Sequence, residues 1–328
     1  MPAIRPPWPD LPTGLRTRVA ELLDAPVDQV HGDSQDGGFT PAAALRVHTR
    51  SRHTGRAGGR AGGNGLFVKA IPADHPLAAA YETEAHTLAE LPAAALAAEL
   101  VWCGTVDGWI VMVLTDVPGR HPDLGIGSPD IPVVVDAVAA MSRALNPSPL
   151  VDAAPVTVPR GWRDLTTDQL ETEPTAWAIS RLGELAALEE RWAAQAAGTA
   201  LVHNDIRPDN LLLTPDSNGA GNGDRRHTRV TVVDWAQARL GRPWRDTASL
   251  VPHLIMAGHT PQQAEAHLVG TELAKADPEL VTANAAALAG YLIKSAPLPP
   301  PPKVPHLRAY QARAAQAMTA WVRHRTGW

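Results

Sequence analysis

The stretch Leu201-Val202-His203-Asn204-Asp205-Ile206-Arg207-Pro208-Asp209-Asn210-Leu211-Leu212-Leu213 constrains this 328-residue chain more than any other. Two short apolar runs enclose a polar turn that carries a carboxylate, Asp205, and then a carboxamide, Asn210. Runs so short and so apolar read as buried strands, which makes the segment between them a loop pinned at both ends. Farther on, Val230-Thr231-Val232-Val233-Asp234-Trp235 sends a second carboxylate off the end of another buried strand. An acid that follows four apolar or β-branched residues needs a charge partner where it emerges.

These residue types suit one chemistry. A carboxylate such as Asp205 can take the proton of an incoming hydroxyl, and Asn210 offers a neutral oxygen to a hard cation. Mg²⁺ is the natural partner for Asp234, and two carboxylates and an amide around Mg²⁺ suggest phosphoryl transfer. The competing reading makes His203 and Asp205 metal ligands of a hydrolase. No second histidine cluster at ligand spacing supports it, and His203 is better read as a brace for the loop. Asp246 is expected to act as an N-cap or loop anchor before an apolar helix at 247–256 rather than as a third metal ligand. His121, His253, His259 and His306 read as satisfied surface or core residues, and the ten tryptophans as bulky core.

Composition enters through lysine. Of 29 basic residues only Lys69, Lys275, Lys294 and Lys303 are lysines, so Lys69 stands alone in the chain ahead of Lys275. Codon bias toward arginine explains the scarcity, and a lysine that survives it marks a place where a planar guanidinium does not replace a compact ammonium.

Along the chain, the pattern predicts a helix at 14–23, a tight turn at Gly37-Gly38-Phe39-Thr40, and strands at 44–48 and 66–70 around a Gly/Arg insertion at 48–65. A helix at 77–91 stops at Pro92, and strands follow at 99–103 and 109–114. Thr115 to Gly119 has the turn chemistry of a linker. From Ile131 onward the pattern is helical, including 133–145 and a longer segment at 176–197. After Asp246 the chain reads as helical, interrupted by an extended connector at 297–305.

In this order the motifs resemble those of the aminoglycoside phosphotransferase family, relatives of choline kinase and of the eukaryotic protein kinases. His203 to Asn210 matches the family's H-x-D-x-x-x-x-N loop, and Asp234-Trp235 looks like its second metal aspartate. Phe67-Val68-Lys69 resembles the strand carrying the lysine that meets the α and β phosphates, and Glu84 the helix glutamate paired with it. Glu82, two residues away, faces another side. Gly37, Gly38 and Thr40 resemble the first hairpin over the nucleotide, and Leu114 to Val117 the hinge that recognises adenine. The likeness covers about residues 30–260. It implies an α+β, two-lobed protein-kinase-like fold: a nucleotide-binding lobe with a small antiparallel sheet at 1–114, a hinge at 115–120, and a larger, mainly helical catalytic and substrate-binding lobe at 121–328. It further implies ATP and Mg²⁺ in the cleft, Asp205 as catalytic base, and Asn210 and Asp234 as metal ligands. The activity implied is transfer of the γ-phosphoryl group to a small-molecule hydroxyl, with a non-transferring nucleotide binder or a peptide kinase as alternatives. Arg207 stands where many members have histidine, Pro41 where many have a polar residue, and Asn204 where glycine is frequent.

Other classes are disfavoured. Net charge of −5 and a pI near 6.2 argue against a nucleic-acid partner held by bulk electrostatics. No apolar run approaches the roughly 20 residues that span a bilayer. The single Cys103 fits a reducing cytoplasm. The chain has no Asp or Glu after Glu279, while Lys294, Lys303, Arg308, Arg313, Arg323 and Arg325 are cationic. A polycationic aminoglycoside would prefer an acidic wall. The acids Asp164, Asp168, Glu171 and Glu173 remain candidates for one.

Overall fold

Alternation along Leu66-Phe67-Val68-Lys69-Ala70-Ile71 decides how the first part of the chain is arranged. Successive strand residues point to opposite faces, so Val68 and Ala70 share one face and Lys69 takes the other. The computed structural model describes residues 3–35, 38–49, 65–166, 176–215 and 228–328. In it β1 (Val30–Ser34), β2 (Ala43–Thr49), β3 (Gly65–Pro72), β4 (Leu100–Val106) and β5 (Trp109–Thr115) form one antiparallel sheet in the order β1-β2-β3-β5-β4. Helix α1 (Thr13–Leu22) packs Leu15 and Val19 on the face made by Leu45, Val47, Val68, Ala70, Val111 and Val113. Helix α2 (Ala78–Glu90) lies on the other side, where Met112 and Leu114 join the main core with Ala85 and Leu88.

The chain then becomes largely helical. It carries α3 (Asp130–Ala144), α4 (Leu182–Gln195), α5 (Arg245–Ala248), α6 (Leu250–Met256), α7 (Pro261–Ala266), α8 (Pro278–Ser295) and α9 (Leu307–Thr326). Two small ribbons sit among them, β6 (Ala200–Val202) with β9 (Arg239–Gly241) and β7 (Leu211–Pro215) with β8 (Thr228–Val232). The loop from His203 to Asn210 thus joins two different ribbons. The expected mixed fold, with a small antiparallel sheet lobe and a larger helical lobe, is the one found.

Several elements depart from their expected form. Strand β1 was not foreseen because Val30 is its one buried residue; pairing with β2, from Val30 opposite Thr49 to Ser34 opposite Leu45, makes it a strand. Strand β9 likewise exists through its pairing with β6. The helix expected over 176–197 breaks at Arg181 (φ −122°, ψ 11°), leaving a 3₁₀ segment Ala176–Arg181 before α4. Arg181 is pinned there, its guanidinium 5.4 Å from the Trp328 ring centre. The helix expected at 247–256 is two helices meeting at Ser249, whereas the helical pattern read from Ile131 onward is matched by α3, which begins at Asp130. Its Pro132 falls in the first turn, where no N–H is required. The connector after α8 turns rather than extends: Leu298 N–H donates to Ser295 O (3.2 Å) and Val304 N–H to Pro301 O (3.1 Å). Val304 is buried at the second of these turns.

Trp162, Trp192, Trp235 and Trp321 are fully buried. Trp162 fixes α8, donating its indole N–H to Ala286 O at 2.6 Å. Gly290 leaves room for that ring, since a Cβ there would lie 2.6 Å from Trp162 Cδ1. The Gly/Arg insertion at 48–65 falls almost entirely outside the described residues. No helix among them is long and apolar enough to cross a membrane.

Candidate active site

Lys69 leaves β3 on the face opposite the α1 core and meets two carboxylates. Its Nζ donates to Glu84 Oε1 and Oε2 at 2.7 and 2.8 Å and to Asp234 Oδ1 at 2.8 Å. Glu84, one turn before Leu88 on the buried face of α2, is 1% exposed; Glu82 makes no such contact. Glu84 Oε1 also accepts the N–H of Trp235 at 3.1 Å, which fastens the end of β8 to α2. Asp234 adopts the left-handed region (φ 68°, ψ 62°), one of the non-glycine residues for which this is least costly. Burial works against its charge, and Lys69 overrides it, holding the carboxyl down at about 2. For Lys69 burial likewise opposes the charge, and Asp234 and Glu84 outweigh it, raising its pKa.

Asp205 is positioned from three directions. Asn210 Nδ2 donates to its backbone O at 2.9 Å and its Oδ2 at 3.1 Å. Its own N–H donates to His203 Nδ1 at 3.3 Å, and Arg207 Nε stands 3.7 Å from Oδ1. The loop behind it hangs on Asp246, which is completely buried and accepts the N–H groups of His203 (2.8 Å) and Asn204 (2.9 Å). Asp246 lies inside α5, so it acts as the loop anchor and not as an N-cap. Asn204, at φ 67°, has the conformation glycine would favour, and Asn tolerates it.

His203 is a brace. Its Nε2 contacts Val233 O at 3.0 Å, which requires a proton on that nitrogen, and Nδ1 accepts from Asp205. Burial holds the ring neutral by lowering its pKa to about 4. Both nitrogens are used, which removes the reading of His203 as a metal ligand. Among the described residues no group of three or more His, Cys, Asp and Glu side chains is arranged to hold a metal. The carboxylate of Asp234 and the amide oxygen of Asn210, both lining the same cleft, are oxygen donors of the hard type that suits Mg²⁺.

One cleft of about 830 Å³ gathers Lys69, Glu84, Asp205, Asn210 and Asp234 with Gly38, Thr40, Leu114 and Val117. Gly37 lies outside the described residues. Gly38 is at φ +68°, where a side chain would be strained. At the expected hinge, Val117 O accepts from Arg46 Nη2 at 2.7 Å, and Arg46 Nε pairs with Asp116 at 3.1 Å. The cleft also holds three residues the sequence did not single out: Arg5, Arg46 and Tyr310. Arg5 donates to Gln35 O at 3.4 Å beside Gly38, and its neighbour Ile4 N–H donates to Lys303 O at 2.9 Å. No local pattern in the proline-flanked opening marks it. Arg207, 7% exposed, bridges the lobes: its guanidinium is 4.9 Å from the Phe39 ring centre and 5.8 Å from that of Tyr310. Asp164 pairs with Lys294 outside the cleft, and Asp168, Glu171 and Glu173 lie outside the described residues.

His253 and His259 are buried and His306 is exposed, as expected; His121, exposed, contacts Leu211 O at 3.0 Å. Burial takes the His253 ring from 6.5 down to about 4, with Arg207 adding to the fall and Asp209 opposing it. Its folded pKa is below the unfolded value, so the unfolded chain binds the extra proton between these limits. The stabilisation is present above pH 6.5 and is lost as pH falls toward 4. Substitution His253→Gln should therefore flatten the acid limb of stability by about 3 kcal/mol between pH 7 and pH 4. Urea unfolding of both proteins across that range measures it; parallel curves would refute it.

Comparison with known proteins agrees with the fold. Residues 51–291 match the model of the phosphotransferase enzyme family. A thermostable mutant of aminoglycoside phosphotransferase APH(4)-Ia, in its apo form, is similar with a TM-score of 0.57 at 18% identity, over 95% of this chain and 100% of that one. A further mutant of that enzyme, in ternary complex with AMP-PNP and hygromycin B, gives 0.55 at 15% identity, over 96% and 98%. A choline/ethanolamine kinase family protein from Mesorhizobium loti gives 0.53 at 18%, over 94% and 98%. At these identities the likeness is one of fold, the two-lobed kinase-like fold. No curated protein sequence matches the chain.

Proposed function

The chain belongs to the phosphotransferase enzyme family, and from that premise we propose that it transfers the γ-phosphoryl group of ATP, with Mg²⁺, to a hydroxyl of a small molecule. The observation that carries this reading is the convergence of Lys69, Glu84, Asp234, Asp205 and Asn210 in one cleft between the sheet and the helices. The likeness to a fold solved with AMP-PNP supports a nucleotide there.

In this reading the acceptor oxygen forms a bond to the γ phosphorus as the bond from that phosphorus to the bridging oxygen breaks. ADP leaves with the electron pair, and the hydroxyl proton passes to Asp205. Burial raises the Asp205 pKa to about 6 and Arg207 restrains the rise, which makes the carboxylate a better proton acceptor than a solvated one. Asp234 and Asn210 would hold Mg²⁺, which supplies positive charge to the phosphate oxygens. Lys69, held by Glu84, orients the phosphates. His203 and Asp246 touch no substrate in this scheme and fix the loop that carries Asp205.

Incubation of the protein with γ-labelled ATP, Mg²⁺ and panels of antibiotics, amino alcohols and neutral alcohols tests the reading. Transfer of label to an alcohol, dependent on Mg²⁺, is the expected result. Label released only as inorganic phosphate with every acceptor would count against it.

A further inference from the structure

The cleft that contains Asp205 continues past the catalytic loop between three helices, whose periodicity sets the faces they turn to it. Helix α8 presents Leu288, Tyr291 and Leu292. Helix α9 presents Leu307, Ala314 and Met318 on the stripe that also carries Tyr310 and Gln311. Met256 and Pro252 of α6 complete the wall. Tyr310 joins the wall to the catalytic loop through Arg207.

This wall carries no carboxylate among the described residues. Glu279 is the last acid of the chain, so α9 has none, and neither does α6. The neighbouring Glu265 of α7 is engaged by Trp321 Nε1 at 2.6 Å and by Arg325 at 2.5 Å. Each acid that lines the described cleft faces a cation inside it, Lys69 and Arg207 each serving two of them. Lys69 takes Glu84 and Asp234 at 2.7 and 2.8 Å. Arg46 takes Asp116 at 3.1 Å, and Arg207 lies 3.2 Å from Asp209 and 3.7 Å from Asp205. Two polar groups beside the wall are also engaged: Gln311 Oε1 accepts from Arg308 at 2.8 Å, and Ser249 Oγ donates to Arg245 O at 3.1 Å.

A polycation entering here would lose water around its charges and find on the wall no acid to receive them, and at the catalytic loop only acids that already face Lys69 or Arg207. An apolar body would instead remove its own surface and that of Leu288, Leu292 and Leu307 from water. We propose that the acceptor is an uncharged alcohol with an apolar body, seated against α8 and α9 with its hydroxyl toward Asp205. The proposal rests on the phosphotransferase reading for the role of that hydroxyl, but the preference of the wall is readable from binding alone.

The experiment uses Asp205→Asn protein saturated with ADP and Mg²⁺, so that binding is measured without turnover. Octyl β-glucoside below its micellar concentration and estradiol serve as neutral apolar alcohols, with hygromycin B and choline as cations, all followed by calorimetric titration. At least one neutral probe should bind tighter than either cation by about tenfold or more. Tyr291→Glu places a charge on the wall at a residue 40% exposed, where the fold should tolerate it. It should weaken the neutral probe by about tenfold and leave ADP affinity in place. Leu307→Glu, in the first turn of α9, provides a second variant with the same expectation. Tighter or equal binding of hygromycin B or choline overturns the proposal, as does absence of binding by both neutral probes. Indifference of the neutral probe to both variants overturns it too. If neutral alcohols bind as expected but wild-type protein transfers label to no acceptor of any panel, the phosphotransferase reading fails while the preference of the wall stands.

Discussion

Asp205→Asn is expected to lower kcat by ~10²- to 10⁴-fold, the usual worth of a positioned general base, with the fold and nucleotide affinity retained. The substitution keeps the shape of the side chain. An amide oxygen in place of Oδ2 can still accept from Asn210 Nδ2, now at 3.1 Å, and the backbone O of the residue keeps its own bond to that amide at 2.9 Å. Arg207 keeps Asp209 at 3.2 Å when its weaker contact to Asp205, at 3.7 Å, is lost. What disappears is the negative charge, which burial already disfavours enough to raise the pKa to about 6. The melting temperature should therefore hold or rise, because a buried charge with incomplete pairing is removed. Steady-state kinetics, thermal denaturation and nucleotide titration on the same preparation separate the effects. Turnover within threefold of wild type would remove Asp205 from the role of base; a collapse of stability would show a structural carboxylate instead.

The legibility of this chain follows how local each signal is. Lys69, Asp205, Asn210 and Asp234 were readable because each sits in or beside a short apolar run that has few alternatives to a buried strand. Glu84 was separable from Glu82 because only one of them shares a face with Leu88 and Leu91, and the structure places that one on Lys69 at 2.7 Å. Asp246 was half readable: its place before an apolar run suggested an N-cap or loop anchor, yet its two bonds to His203 and Asn204 cross more than forty residues. Strands β1 and β9 escaped because their partners make them strands, and the cleft roles of Arg5, Arg46 and Tyr310 escaped for the same reason. A cation becomes a cleft residue through what stands opposite it, and for Arg46 that is Val117 O at 2.7 Å. The proline-rich connector misled because composition reports conformational preference and not the burial of Val304.

Lys69→Arg keeps the charge and should still cost on the order of 10²-fold or more in kcat/KM, comparable to removing one preorganised donor from a transition-state site. The ammonium of Lys69 has three hydrogens and meets three carboxylate oxygens, two of Glu84 and one of Asp234, at 2.7 to 2.8 Å. A guanidinium is planar and longer. It can grip Glu84 with two parallel bonds, but its remaining donors then lie in that plane and do not converge on the third oxygen. The site is 13% exposed at Lys69 and 1% at Glu84, so the larger group cannot swing into solvent without drawing Glu84 off Trp235 N–H, which it accepts at 3.1 Å. That bond ties α2 to the end of β8, and the disturbance therefore reaches Asp234, proposed to hold Mg²⁺, as well as Lys69 itself. A split between binding and turnover distinguishes this from simple loss of charge. Lys69→Met should weaken nucleotide binding outright, whereas Lys69→Arg should hold much of the binding and lose the rate. Nucleotide affinity by titration beside kcat for both variants decides it, and near-wild-type turnover in Lys69→Arg would mean that position 69 needs only a positive charge.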